Sequence, residues 1–169
     1  MLDPPPVEVT QLIERRKRLG LDLYDEIWEG VYHMAPAPRY RHGDLDQQLA
    51  EILGPLGRKA GLLAGGPFNL GGPDDFRVPD RGLHRTEPGP DTVYLATAAM
   101  VVEIVSPGDE TYDKLPFYAA HGVEEVLIVD PSERVVRLMA LAGDHYGEAP
   151  RSAVLDVEVG QIRDAICWP

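Results

Sequence analysis

The sequence has only one cysteine, Cys167, among its 169 residues. This excludes an intrachain disulfide and a zinc site built from several cysteines. No apolar run approaches the roughly 18 residues that a membrane-spanning helix needs. The opening Met-Leu-Asp-Pro-Pro-Pro lacks the basic and apolar segments of a secretory signal. We therefore expect a cytoplasmic protein with no membrane segment.

Positive charge is also scarce, since 16 lysines and arginines stand against 28 aspartates and glutamates, which gives a net charge of −12. This charge argues against a protein whose main activity is non-specific binding to DNA or to anionic membranes. It leaves room for a local basic cleft, because the cations are clustered. The clusters are Arg15, Arg16, Lys17 and Arg18; Arg39 and Arg41; and Arg77, Arg81 and Arg85.

The composition otherwise fits a folded domain. Apolar residues make up 44% and charged residues 26% of the chain, as in soluble globular proteins. A chain of this length can bury roughly 68–70% of the surface that its unfolded form exposes. We expect residues 1–169 to form a single domain.

The N-terminal segment predicts a helix followed by a hairpin. Thr10–Arg18 is typical of a short helix, because a threonine can cap its start, cations occupy its last turn and a glycine follows it. Leu23–Trp28 and Val31–Met34 flank Glu29–Gly30, which is a hairpin signal.

Four other segments have weaker patterns. A leucine stripe predicts a helix from about Tyr40 that ends or kinks at Gly54–Pro55. Residues 71–92 are predicted to be mostly loop. Arg134–Leu141 alternates like an antiparallel edge or hairpin strand. Ala153–Val157 predicts one more strand, with a short final helix after it.

Met100–Val105 is the clearest strand, because it is apolar on both faces except at Glu103. A helix over about Thr111–Ala120 and a second buried strand over Val126–Val129 follow it. This order predicts two parallel strands in a sheet with helices packed against it. We therefore expect an α/β fold with a central mixed β-sheet flanked by helices, preceded by an N-terminal helix and β-hairpin.

Glu103 is the first candidate functional residue. A carboxylate in a buried strand costs several kcal/mol if it is ionised and unpaired. Glu103 must therefore be protonated, paired with a cation, bound to a metal, or placed at the solvent-exposed end of the strand. The structural alternative is a glutamate at a sheet edge with an arginine partner.

Asp80 is the second candidate. It follows Val78–Pro79 and stands near three arginines and a histidine. This pattern is either a surface ion-pair site or a metal-holding carboxylate beside phosphate-binding arginines, as phosphoryl chemistry uses.

Lys114 and His42 also have two interpretations each. Lys114 could reach back toward the Glu103 strand to orient or deprotonate a water, or to neutralise charge on a pentavalent phosphate. Otherwise it is a solvated helix lysine. His42 stands at the start of a helix and could contact a phosphate; otherwise it is a polar residue with no functional role.

Taken together, these residues resemble the PD-(D/E)XK nuclease motif, with Glu103 on an apolar strand 23 positions after Asp80. Over about residues 22–141 the chain resembles the Uma-two restriction endonuclease family. The matching stretches are Glu29–Gly30 with Met34, Pro36 and His42; Val78–Asp80; Val101–Pro107; and Lys114, Tyr118, Gly122–Val123, Glu125 and Val129–Pro131.

The resemblance implies a restriction-endonuclease-like fold with a metal site at one edge of the sheet. It implies that Asp80 and Glu103 bind Mg²⁺ or Mn²⁺, and the bound cation would explain a carboxylate in a buried strand. The expected substrate-binding residues are His42, Glu29, Arg41, Arg77 and Arg81.

The sequence departs from the motif at one catalytic position. Val105 stands two residues after Glu103, where the motif has a lysine. We therefore assign that role to Lys114, so the expected catalytic residues are Asp80, Glu103 and Lys114. Because Pro116 is tolerated only in the first turn of a helix, Lys114 should lie at or just before a helix start.

Two functions of different classes follow. One is a metal-dependent endonuclease that hydrolyses phosphodiester bonds of DNA. The other is a catalytically inactive protein of the nuclease fold that acts as a binding or regulatory module, which the displaced lysine and the acidic charge favour. A homodimer fits either function, because the strand at 134–141 offers an edge for pairing.

Overall fold

The computed structural model describes residues 6–108 and 110–168. Its helices are α1 (Val7–Arg18), α2 (Tyr40–Lys59), α3 (Leu115–Ala120) and α4 (Val159–Ala165). A 3-10 turn over Thr111–Lys114 leads directly into α3. Within the described residues, no helix has the length and apolar character required to cross a bilayer.

The strands form two larger sheets and a small one. They are β1 (Glu26–Trp28), β2 (Val31–His33), β3 (Leu63–Gly65), β4 (Asn69–Gly72), β5 (Asp75–Arg77), β6 (Arg81–His84), β7 (Tyr94–Leu95), β8 (Met100–Ile104), β9 (Glu125–Asp130), β10 (Val135–Ala142), β11 (His145–Ala149), β12 (Arg151–Ser152) and β13 (Val157–Glu158). The spatial orders are β11-β10-β9-β8-β6-β3 and β2-β1-β5-β4-β7, and β12 pairs with β13.

The central sheet is mixed, as the sequence predicts. β8 and β9 run parallel, and the remaining neighbours in that sheet are antiparallel. The parallel pair is joined through α3, which confirms the predicted strand–helix–strand unit. The predicted hairpin is also confirmed, because Glu29 and Gly30 both have positive φ, as a type I′ turn requires.

The two faces of β8 pack against different helices. Met100, Val102 and Ile104 belong to a core that includes leucines spaced four residues apart on α2, namely Leu45, Leu49 and Leu53. Each fully buried leucine contributes roughly 1.5–3 kcal/mol relative to an exposed one. The opposite face carries Val101, which packs with Phe117 and Tyr118 of α3. Glu103 is on this second face and therefore points toward α3.

The structure departs from the sequence predictions at three segments. Of the two alternatives at Gly54–Pro55, an end or a kink, the end is excluded, because α2 continues to Lys59. Core contacts of Leu53 and Leu56 offset the loss of the backbone hydrogen bond that proline cannot donate. Residues 71–92 are mostly loop, as predicted, but they also contain β5 and β6, whose polar residues and glycine obscure the usual strand alternation. The predicted strand at 153–157 is mostly a turn between β12 and β13.

The segment predicted as an edge or hairpin strand is β10, a hairpin strand in the interior of the sheet. β10 pairs with β9 on one side and with β11 on the other. The edges of the central sheet are β11 and β3. The edge that was expected to support a homodimer is therefore not available on β10.

Candidate active site

A cavity of about 510 Å³ lies at the carboxyl end of β8. Its size falls within the range of roughly 300–1,000 Å³ that is usual for ligand sites. One wall is charged, and the loop from Met34 to Pro38 forms an apolar wall beside it. The charged residues used below are Glu26, His42, Asp80, Glu103 and Lys114, which all border this cavity.

Lys114 is the cation at the centre of the site. Its Nζ lies 2.9 Å from Oε1 of Glu26 and 3.2 Å from Oε1 of Glu103. Lys114 ends the 3-10 turn, and Pro116 lies in the first turn of α3, as the sequence predicts. Burial disfavours a charge on Lys114, but the two carboxylates outweigh burial and hold its pKa above the ordinary value. Lys114 is therefore a persistent cation.

Glu103 is buried, with 4% of its surface exposed. The Tyr118 hydroxyl donates a short hydrogen bond to its Oε1. Burial raises the pKa of Glu103 to about 7; Lys114 opposes this rise, and the negative charge of Asp80 adds to it. The carboxyl group therefore titrates near neutrality, and additional positive charge nearby would favour its ionised form.

Asp80 lies between β5 and β6, and both of its oxygens accept hydrogen bonds. The backbone N–H of Ile104 donates to Oδ2 at 2.7 Å, which fixes Asp80 beside the end of β8. Nε2 of His42 is 2.9 Å from Oδ1, and His42 is the donor because an ionised carboxylate only accepts. This hydrogen bond raises the pKa of His42 above its ordinary value. The first turn of α2 thus holds Asp80 in place.

Glu26 is the carboxylate of the hairpin that faces the cavity, and sequence reasoning selected Glu29 instead. Glu26 is 6% exposed and accepts hydrogen bonds from the Val78 N–H at 2.7 Å and from Nε1 of Trp28 at 2.6 Å. Glu29 is exposed in the turn, where its N–H donates to Asp75, and it does not border the cavity. The signal that could have identified Glu26 was strand alternation, which puts it on the same face as Trp28.

Arg77, expected to bind substrate, lies in a stack of rings instead of on the cavity wall. Its guanidinium carbon is 4.4 Å from the ring centroid of Trp28 and 4.0 Å from that of Phe117. His33 stacks on Trp28 with ring centroids 4.3 Å apart, and Arg77 pairs with Asp75 at 2.8 Å. Arg77 therefore supports Trp28, which in turn donates to Glu26.

The other predicted substrate-binding arginines also lie outside the cavity lining. Arg81 is paired with Asp46 at 2.7 Å. Arg41 is exposed on the first turn of α2. Arg39, which directly precedes that helix, does border the cavity.

The donor set of the cavity fits a hard divalent cation. Asp80 and Glu103 offer carboxylate oxygens, the ligands that Mg²⁺ and Mn²⁺ prefer. Mg²⁺ is often held by one or two carboxylates, with waters and substrate phosphates as its other ligands. The negative charges of Asp80 and Glu26 raise the pKa of Glu103, so a bound cation would relieve repulsion that already exists. Among residues 6–108 and 110–168, no cluster of three or more His, Cys, Asp or Glu side chains is arranged to hold a metal ion.

A solved structure shares the fold. The chain is similar to "a putative nuclease belonging to DUF820 from Anabaena variabilis ATCC 29413", with 16% sequence identity and a TM-score of 0.64. The similarity covers 83% of this chain and 90% of that one. The fold is therefore mixed α/β and restriction-endonuclease-like. No curated protein matches the sequence.

The family comparison covers most of the chain. The model of the Uma2 family, described as "Putative restriction endonuclease", matches residues 11–160. This span includes the hairpin, Asp80, Glu103 and Lys114. The order of motifs in the sequence indicated a resemblance to the Uma2 family, and the chain belongs to that family.

Proposed function

We propose that this protein is a Mg²⁺- or Mn²⁺-dependent endonuclease that hydrolyses phosphodiester bonds of DNA. One observation carries the proposal. Asp80, Glu103 and Lys114 come from three different segments, and all three border the same cavity. Family membership supports a nuclease, and the cavity supplies the residue types that phosphodiester hydrolysis needs.

Asp80 and Glu103 are the proposed metal ligands. A divalent cation held there would supply Lewis acidity to the scissile phosphate and would make an attacking water more acidic. The protein orients both carboxylates beforehand. Asp80 is held by His42 and by the Ile104 N–H, and Glu103 by the Tyr118 hydroxyl.

Lys114 is the proposed electrostatic catalyst. Its ammonium group stands at the cavity wall, where it can neutralise negative charge that develops on the phosphate. Its raised pKa suits a fixed cation and not a proton acceptor. Because Lys114 reaches Glu103 from the turn before α3, it can replace the lysine that the motif places at Val105.

A non-catalytic binding module is the second candidate function. The observation that favours it is the ion pair between Lys114 and Glu103, which gives the buried carboxylate a cation without any metal. Under this alternative, divalent cations have no specific effect on the protein. Substitution of Glu103 would then change stability and no activity.

Cleavage of circular and linear DNA in Mg²⁺, Mn²⁺ or EDTA distinguishes the two candidates. We expect cation-dependent cleavage by the wild-type protein and none by a folded Glu103→Gln variant, which keeps the side-chain size and removes the charge. Circular DNA is included because only an endonuclease can cut it. Absence of cleavage by the wild-type protein would favour the binding module, and equal cleavage by both proteins would exclude Glu103 from the mechanism.

A further inference from the structure

We propose that Arg15, Lys17 and Arg18 at the end of α1, together with Arg39, form a phosphate-binding rim that holds the substrate strand next to the cavity. This inference rests on the proposed nuclease function, since it assigns the part of the nucleic-acid strand that flanks the scissile bond to a separate surface. The ligand class is the phosphate backbone of a nucleic acid. We call these four residues the basic rim.

The basic rim is fixed to the cavity wall by Arg16. Its guanidinium group donates to both oxygens of Asp25 at 2.7 and 2.6 Å and to the backbone oxygen of Ala35 at 3.2 Å. Ala35 borders the cavity, and Arg39 follows it by four positions. The end of α1 is thus hydrogen-bonded to the segment that borders the cavity and leads to Arg39.

The hub of this connection is the buried carboxylate of Asp25, which is 3% exposed. Besides Arg16, it accepts hydrogen bonds from the Tyr32 hydroxyl at 2.7 Å and from the Ala35 N–H at 2.8 Å. It therefore ties α1, the hairpin and the cavity wall together. α1 itself buries no residue, so its contribution to the core does not explain why it is held at this place.

The charges of the rim are available to a ligand. Arg15, Lys17 and Arg18 are exposed, and within the described part of the chain none of them forms an ion pair with a carboxylate. Other basic side chains are committed, for example Arg77 to Asp75 and Arg81 to Asp46. In a protein with a net charge of −12, these cations offer positive charge to a polyanion.

Cations at the end of a helix also interact favourably with the helix dipole, and the test must separate that effect from phosphate binding. α2 offers a matched control, because Arg58 and Lys59 are exposed in its last turn. α2 spans roughly 30 Å at the usual helical rise, and its opposite end borders the cavity. The control pair is therefore remote from the proposed rim.

The experiment compares Arg15→Gln/Arg18→Gln with Arg58→Gln/Lys59→Gln in binding to a short fluorescent DNA, with EDTA present to prevent cleavage. We expect the dissociation constant of the rim variant to rise roughly tenfold. The slope of its salt dependence should weaken by about one unit for each phosphate that the variant no longer binds. The control variant should bind like the wild-type protein. If the rim variant binds DNA as tightly as the control, the proposal is wrong.

Two further measurements distinguish this proposal from a failure of the nuclease function and from membrane binding by α1. A small chromogenic phosphodiester has no flanking phosphates, so the rim and control variants should hydrolyse it at the wild-type rate. If no protein hydrolyses any phosphodiester, the proposed nuclease function fails while the binding comparison still decides on the rim.

α1 also exposes apolar side chains such as Val7 and Leu12, so vesicles of phosphatidylglycerol test a membrane contact. Loss of vesicle binding with DNA binding unchanged in the rim variant would overturn the proposal.

Discussion

Glu26 and Lys114 form an ion pair of 2.9 Å and lie 88 positions apart in the sequence. Glu103 contacts the same ammonium group at 3.2 Å. Two buried carboxylates therefore share one cation, and Asp80 adds further negative charge beside them. This arrangement fixes the position of Lys114, and it leaves the cavity with a surplus of negative charge that a divalent cation would offset.

Glu26→Gln should reduce kcat by roughly tenfold, because Lys114 loses one of the two anions that position its charge. Glu29→Gln is the matched control in the same hairpin, since Glu29 is exposed and does not border the cavity. Its kcat should remain within about twofold of the wild-type value. Steady-state cleavage of DNA measures both. An equal loss in the two variants would show that the hairpin acts through its overall charge and not through the Glu26–Lys114 pair.

The stability of the protein should depend on the protonation of Glu103. Its pKa rises from 4.5 to about 7 in the folded protein, so the native state binds more protons than the unfolded state between these values. The free energy of unfolding therefore falls as the pH rises through this interval. Glu103→Gln cannot ionise, so its stability relative to wild type should increase by up to about 3 kcal/mol over the same interval.

Urea unfolding in EDTA at a series of pH values measures this difference. The metal-free condition matters, because a bound cation would favour the ionised carboxylate and reduce the decline. Parallel pH profiles for the wild-type and Glu103→Gln proteins would contradict a raised pKa at Glu103.

Arg77→Met should destabilise the protein by about 2 kcal/mol, because it removes a guanidinium group stacked between Trp28 and Phe117. Arg85→Met is the control, since Arg85 pairs with Glu124 at an exposed site and should cost less than about 1 kcal/mol. Chemical denaturation gives both values. Similar costs for the two variants would mean that the stack does not support the site.

Much of the central sheet could be predicted from the sequence. Met100–Ile104 is apolar over its whole length apart from Glu103, and a helix and a second apolar run follow it, so the parallel pair β8–β9 was identifiable. The short strands β5 and β6 were not, because their sequences lack a clear strand pattern and they are defined by pairing with neighbouring strands. In β6, for example, Gly82 replaces an apolar residue since a side chain there would collide with Phe68.

The site could be predicted in part, because motif order identifies residue types but not side-chain directions. Asp80, Glu103, Lys114 and His42 all border one cavity. Glu26 was passed over for Glu29, since alternation puts Glu26 on the face of Trp28 but does not show that this face borders the cavity. The arginines near Asp80 could not be assigned either, because their roles depend on long-range partners. Arg81, for example, turns to Asp46 on α2.

Calorimetric titration with Mn²⁺ tests most directly whether Asp80 and Glu103 form one metal site. We expect the wild-type protein to bind the cation, and both Asp80→Asn and Glu103→Gln to weaken binding by at least about tenfold. Asp46→Asn is the control, because Asp46 borders the same cavity but is paired with Arg81, and it should bind Mn²⁺ like the wild-type protein. A wild-type protein that binds no Mn²⁺, or Asp80→Asn and Glu103→Gln variants that bind it as tightly as wild type, would contradict a metal site at these two carboxylates.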